Sequence, residues 1–83
     1  MKYQIFILRR AQKKLAQFPS DIYTRICETI KNLAQNPRPA GCLKLTGRDG
    51  YRIRVGNYRI VFEIDDKNYK LTILGLGHRR DIY

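Results

Sequence analysis

From Tyr3 to Leu8 the chain is mainly β-branched and aromatic, a composition that favours a strand. The next segment, Arg9-Arg10-Ala11-Gln12-Lys13-Lys14-Leu15-Ala16-Gln17, favours a helix, and Ala11, Leu15 and Phe18 recur along it at helical spacing. That narrow apolar line leaves Arg9, Arg10, Lys13 and Lys14 on the solvated side. Pro19 ends this helix or opens the next, and Ser20 or Asp21 is placed to cap the second. Ile22, Ile26, Ile30 and Leu33 then fall at the i, i+4, i+8, i+11 spacing of an amphipathic helix, with Tyr23, Cys27 and Ala34 widening its stripe. Asn36-Pro37-Arg38-Pro39-Ala40-Gly41 forces an extended connector, because a proline disfavours a helical residue before it and removes a donor.

Beyond the connector the apolar period changes to two. Leu43-Lys44-Leu45, Tyr51 to Val55, Tyr58 to Ile64 and Tyr69 to Leu74 read as strands. Gly47-Arg48-Asp49-Gly50 separates the first pair, Gly56-Asn57 makes a tight hairpin, and Asp65-Asp66-Lys67-Asn68 makes the last turn. The expected fold is α+β: an N-terminal strand, a two-helix hairpin, and an antiparallel β-meander with both helices packed on one sheet face. The whole chain, 1–83, forms a single domain, since 83 residues support one core and leave no room for a second.

A two-residue loop at Gly56-Asn57 fixes the pairing of the strands it joins. Val55 then faces Tyr58, Arg54 faces Arg59, Ile53 faces Ile60 and Arg52 faces Val61. Tyr51, Ile53, Val55, Ile60, Phe62 and Ile64 form the face that receives the helices. The other face gathers Arg52, Arg54 and Arg59, with Arg54 and Arg59 as direct cross-strand neighbours, an arrangement that destabilises a sheet. Glu63 is the one acid expected on that face, opposite Lys70. Scattered surface arginines ordinarily do no more than solvate a sheet. These three are brought together by the turn without compensating carboxylates, which points to a phosphate site, because guanidinium groups offer planar paired donors and stay charged.

Composition agrees. Seventeen Lys and Arg against seven Asp and Glu give a formal net charge of +10, a self-repulsion that an anionic partner relieves. No apolar run approaches the roughly 20 residues of a membrane span, so no membrane partner is expected. The N-terminus has no small-residue cleavage site and reads as a mature first strand. Cys27 lies on the stripe of the second helix, where a buried reduced thiol is usual; with Cys42 this fits a reducing, cytoplasmic location.

After the last strand, Gly75-Leu76-Gly77-His78-Arg79-Arg80-Asp81-Ile82-Tyr83 adds two arginines, the only histidine and a terminal tyrosine. Too few residues follow Gly75-x-Gly77 to build a dinucleotide-binding helix, so these glycines are expected to let the chain bend close to the sheet. The dispersed acids Asp21, Glu28, Asp49, Glu63, Asp65, Asp66 and Asp81 do not suit a two-metal nuclease. One His and two Cys do not complete a zinc site, and a two-histidine mechanism is excluded by count. No metal or other cofactor is expected. RNA brings its own nucleophile in the 2′-hydroxyl, so an enzyme need only orient it, stabilise phosphate charge and move two protons. The arginines suit the electrostatic part, leaving His78, Tyr83 or Glu63 for proton transfer.

Three segments in order resemble the RelE/ParE toxin superfamily, and within it the RelE-like branch of mRNA interferases: Leu43-Lys44-Leu45-Thr46-Gly47, Tyr51 through Phe62, and Gly77 through Tyr83. The resemblance covers essentially the whole chain. It implies the toxin of a type II toxin–antitoxin system, a metal-independent endoribonuclease that cuts mRNA in the ribosomal A site by 2′-hydroxyl attack. It also implies contacts between the basic surface and 16S rRNA, a cognate acidic antitoxin, and operator DNA bound through the toxin–antitoxin complex. By position, Arg52 and Arg54 match two basic residues that are often lysines in the family, Arg59 its central arginine, Arg79 the arginine after the last strand, and Tyr83 the tyrosine that stacks on the substrate base. His78 matches a histidine used by some members. Arg52 and Arg54 depart from the family pattern, because a lysine can exchange a proton whereas arginine holds its own. The alternative on the same fold is a ParE-like DNA gyrase inhibitor without nuclease chemistry. A third reading is a basic module that only holds an antitoxin and operator DNA.

Overall fold

The structure is a computed structural model that describes residues 2–78. Its elements are β1 (Gln4–Ile7), α1 (Arg9–Ala16), α2 (Ser20–Gln35), β2 (Leu43–Lys44), β3 (Tyr51–Val55), β4 (Tyr58–Asp65) and β5 (Lys70–His78). The five strands form one sheet in the order β1-β5-β4-β3-β2. The helical hairpin and the antiparallel meander are as the periodicity predicts. What the sequence left unplaced is β1, which adds to β5 in parallel, with Ile5 opposite Leu71 and Ile7 opposite Ile73, making the sheet mixed.

The core forms where the apolar stripes of the helices meet one sheet face. Ala11 and Leu15 of α1 and Ile26, Ile30 and Leu33 of α2 pack on Val55, Ile60, Phe62, Leu71, Ile73 and Leu76. Ile26, Ile60 and Phe62 retain no accessible surface. Burying each side chain of this kind stabilises the fold by about 1.5–3 kcal/mol before entropy is counted. Tyr23, expected to widen the stripe of α2, is instead 44 % exposed. Neither Ser20 nor Asp21 caps α2: Pro19 occupies the cap position, and Asp21 sits in the first turn, where a carboxylate favours the positive end of the helix dipole. Cys27 and Cys42 are free thiols, each half-buried.

Two differences from the sequence reading lie in β5. The turn before it has the expected length but lies one residue later, Asp65 pairing with Lys70, so that Glu63 stands opposite Thr72 rather than Lys70. Asp65 builds this turn by accepting hydrogen bonds from the Asn68 backbone N–H at 3.2 Å and from the Asn68 side chain at 2.9 Å. Those bonds hold its carboxyl below the usual carboxylate range. The strand also runs on through Gly75 and Gly77, past the end at Leu74 that the periodicity predicts, where the glycines were expected to let the chain bend close to the sheet. A register shift makes this workable: Phe62 pairs with Ile73 but Val61 pairs with Gly75, leaving Leu74 as the extra residue of a bulge. A bulge re-aims every side chain beyond it. Here it turns Leu76 into the core at 4 % exposure and puts Gly75 and Gly77 on the opposite face.

Beyond Ile73, β5 has no strand partner on its β1 side among the described residues, and α1 takes that place. The Leu8 N–H donates to the Ile73 carbonyl at 3.1 Å, and Arg10 Nε donates to the Leu74 carbonyl at 3.0 Å. At the far end of the sheet Arg38 clamps the connector to the β4–β5 turn. Its guanidinium donates to both oxygens of Asp66, at 3.1 and 2.8 Å, and its Nε donates to the Tyr51 hydroxyl at 3.2 Å. The Tyr3 hydroxyl also donates to Asp66, at 2.6 Å, tying in the chain just before β1. The Arg38 and Tyr3 hydrogen bonds hold the Asp66 carboxyl down at about 2.

Candidate functional site

The arginine face depends on the turn between β3 and β4. Gly56 has φ +60°, while Asn57 is not among the residues with positive φ, the pattern of a tight hairpin turn with glycine at its first central position. Val55 accordingly pairs with Tyr58, Arg54 with Arg59, Ile53 with Ile60 and Arg52 with Val61, the register read from the sequence. A different turn length would slip the strands and send the arginines toward the core.

Across the sheet this face is organised in two rows. One runs Leu43, Arg52, Val61, Gly75; the other runs Arg54, Arg59, Gly77. Among the described residues neither row contains a carboxylate. Val61 is only 4 % exposed although it faces this side, and long arginine stems shield apolar neighbours in this way while their heads stay at the surface. A hollow of about 280 Å³ opens here, lined by Gly41, Leu43, Arg52, Ile53, Arg54 and Arg59. Leu43, 54 % exposed beside Arg52, gives it an apolar rim. Planar donors around a shallow hollow with an apolar edge suit a phosphodiester and the base attached to it.

Two further cations approach from the helices. The guanidinium nitrogens of Arg25 lie 3.5 Å from the position a side chain on Gly56 would take, so α2 holds a positive charge against the hairpin tip. A second hollow, of about 360 Å³, lies between Arg25 and Arg54, with Glu28 and Asn32 in its wall. The Cε atom of Lys14 lies 3.4 Å from where a side chain on Gly77 would begin, on the same face as Arg59. Sequence reasoning left Lys14 among the solvated lysines of α1 and did not use Arg25. The signal for Lys14 was Gly77, a glycine that belongs to the strand and sits directly across from Arg59.

His78 is placed differently from the arginines. It pairs with Tyr58, and its ring meets the Tyr58 ring edge-on at 5.8 Å. Tyr58 in turn packs on Phe18, at 4.9 Å between ring centroids. The register therefore directs His78 to the helix side of the sheet, away from Arg52, Arg54 and Arg59, because the bulge at Leu74 reverses the alternation that precedes it. Glu63 lies four residues along β4 from Arg59, opposite Thr72. Arg79 and Tyr83 lie outside the described residues. Among the described residues no three His, Cys, Asp or Glu side chains come together to hold a metal ion, and no helix is long and apolar enough to cross a membrane.

Residues 5–83 match the family described as the ParE toxin of the type II toxin–antitoxin system parDE. The chain is similar to toxin RelG of Mycobacterium tuberculosis, with 29% identity over 85 residues covering 100% of this chain and 98% of that one. Among solved structures it is similar to a chain of the archaeal RelE–RelB complex from Pyrococcus horikoshii OT3, at 31% identity and a TM-score of 0.82, covering 95% of this chain and 97% of that one. The toxin–antitoxin complex RelBE2 from Mycobacterium tuberculosis shares the fold, with a TM-score of 0.84 at 24% identity, covering 95% of this chain and 100% of the matched chain.

Proposed function

The chain belongs to the ParE toxin family of type II toxin–antitoxin systems, within the RelE/ParE superfamily, and from that premise we propose that it is a ribosome-dependent endoribonuclease that cuts mRNA. The observation that carries the nuclease reading is the facing pair Arg54 and Arg59, with Arg52 in the adjoining row. In this reading Arg54, Arg59 and Arg79 hold the scissile phosphate and Arg52 assists. Their charge is worth most on the dianionic phosphorane-like state, in which the 2′-oxygen bonds to phosphorus as the 5′-oxygen leaves. The products are a 2′,3′-cyclic phosphate and a free 5′-hydroxyl, so no metal-bound water is needed. Tyr83 stacks on the base or transfers a proton. The ribosome supplies the positioning that so shallow a site lacks, with 16S rRNA held by the basic surface.

A cognate antitoxin is the partner that the RelE–RelB relatives support. An acidic one would offset the net charge of +10 and would carry the pair to operator DNA in the cytoplasm. The nuclease reading is tested by adding purified toxin to ribosomes programmed with a defined mRNA and mapping breaks by primer extension. Cleavage in the A-site codon supports it, and intact mRNA at toxin excess rejects it.

The match to the ParE family favours a second reading, inhibition of DNA gyrase on the same fold. Loss of plasmid supercoiling with cellular mRNA intact would select it over the nuclease.

A further inference from the structure

We propose that Lys14 is a substrate-contacting residue of the arginine face, its ammonium taking a phosphate oxygen of the RNA strand from the β5 side of Arg59. This rests on the reading of that face as an RNA site. Lys14 belongs to a helix whose inward line is Ala11 and Leu15, and a lysine beside such a line is ordinarily free to extend into water. Three observations place it otherwise. Arg10, one turn earlier, is anchored to the Leu74 carbonyl at 3.0 Å, which fixes how α1 lies along the free edge of β5. The Lys14 Cε atom then lies 3.4 Å from the start of any side chain at Gly77, the one atom within 4 Å of that point among the described residues outside the immediate chain. Gly77 is buried, and in the ladder it is the direct partner of Arg59.

Adjacent strands are about 4.8 Å apart, so the end of Lys14, in contact with Gly77, lies within about two strand spacings of the Arg59 backbone, with Arg54 one strand further on. Gly77 contributes no side chain between them. Arg54, Arg59 and Lys14 thus fall along one line across β3, β4 and β5, each offering charged donors to the same surface. A polyanionic strand crossing the sheet from β3 to β5 meets all three. Lysine adds a compact charge with three rotatable donors to a site otherwise built of rigid guanidinium forks, and it can follow a phosphate through the reaction.

The test compares Lys14→Ala, Lys14→Arg and Lys13→Ala with wild type in two assays: single-turnover cleavage on programmed ribosomes, and equilibrium binding of a short single-stranded RNA across a salt series. Matching melting curves establish that the variants fold. Lys14→Ala is expected to cut about tenfold more slowly, the effect of one charge-assisted contact, and to lose about 0.7 from the log–log salt slope of RNA binding. Lys14→Arg restores most of both, and Lys13→Ala, on the neighbouring helix position, changes neither. A Lys14→Ala protein that cuts and binds as wild type overturns the proposal, as does an equal loss in Lys13→Ala. If wild type leaves mRNA intact, the nuclease reading falls by itself, and the salt slope still decides whether Lys14 touches the strand.

Discussion

Arg54 and Arg59 stand directly opposite each other across the β3–β4 ladder, two like charges in a position where opposite charges would stabilise the sheet. The two-residue turn at Gly56-Asn57 imposes the pairing, and the same register pairs Ile53 with the fully buried Ile60. The fold therefore accepts a local repulsion to present a paired cation.

Arg54→Gln is expected to raise the stability of the free protein by a few tenths to about 1 kcal/mol, the usual range for a cross-strand pair. The same change weakens RNA binding, because a phosphate loses one charged donor. Urea unfolding beside RNA titration reads both. A variant that loses stability as well as affinity would show that Arg54 is held by native contacts and not kept for a ligand.

Phosphate contacts release counterions, so each arginine that touches the RNA backbone contributes about −0.7 to the log–log slope of affinity against salt on a single strand. Alanine at Arg52 and at Arg54 should each reduce the slope by about that amount, and the double variant by about twice it. An unchanged slope in either single variant removes that residue from the phosphate set.

The clamp of Arg38 on Asp66 makes a pH prediction. The Asp66 carboxyl is lowered from 3.8 to about 2 by hydrogen bonds from Arg38 and Tyr3. A depressed carboxylate stabilises the fold fully above its unfolded value, and that contribution is lost as pH falls through the folded one. Asp66→Asn should therefore melt below wild type at pH 7, by a constant margin down to about pH 5, with the margin closing between pH 4 and pH 2. Both groups are exposed, which keeps the margin small. A margin that persists unchanged at pH 2 would mean that the clamp acts through shape rather than charge.

Phe62 has no accessible surface at the centre of the core. Phe62→Ala is expected to cost about 3–5 kcal/mol, with a cavity that the surrounding core side chains only partly fill. Chemical denaturation measures it, and a loss under 1 kcal/mol would contradict the packing described.

The contrast between what was legible in the chain and what was not follows sequence distance. The arginine rows could be read because parity along a strand and a two-residue turn are local rules, and the helical stripes because their period is local too. The parallel seat of β1 on β5 joins Ile5 to Leu71, and the clamp joins Tyr3 to Asp66; no short-range pattern encodes either. The bulge at Leu74 is subtler. Without it Leu76 would face outward beside Arg59 and Gly77 would face the core, so one extra residue decides that β5 offers glycine to the arginine face and that His78 leaves it. The driving force is burial of Leu76, which only the assembled core reveals.

The central claim is that the paired arginines act on an RNA phosphate, and Arg59, in the middle of its row, tests it most directly. Primer extension on ribosomes programmed with one mRNA, wild type beside an Arg59→Ala protein of matching melting temperature, should show A-site breaks with wild type and a loss of at least about a hundredfold in rate with the variant. Cleavage by Arg59→Ala at the wild-type rate would contradict the account.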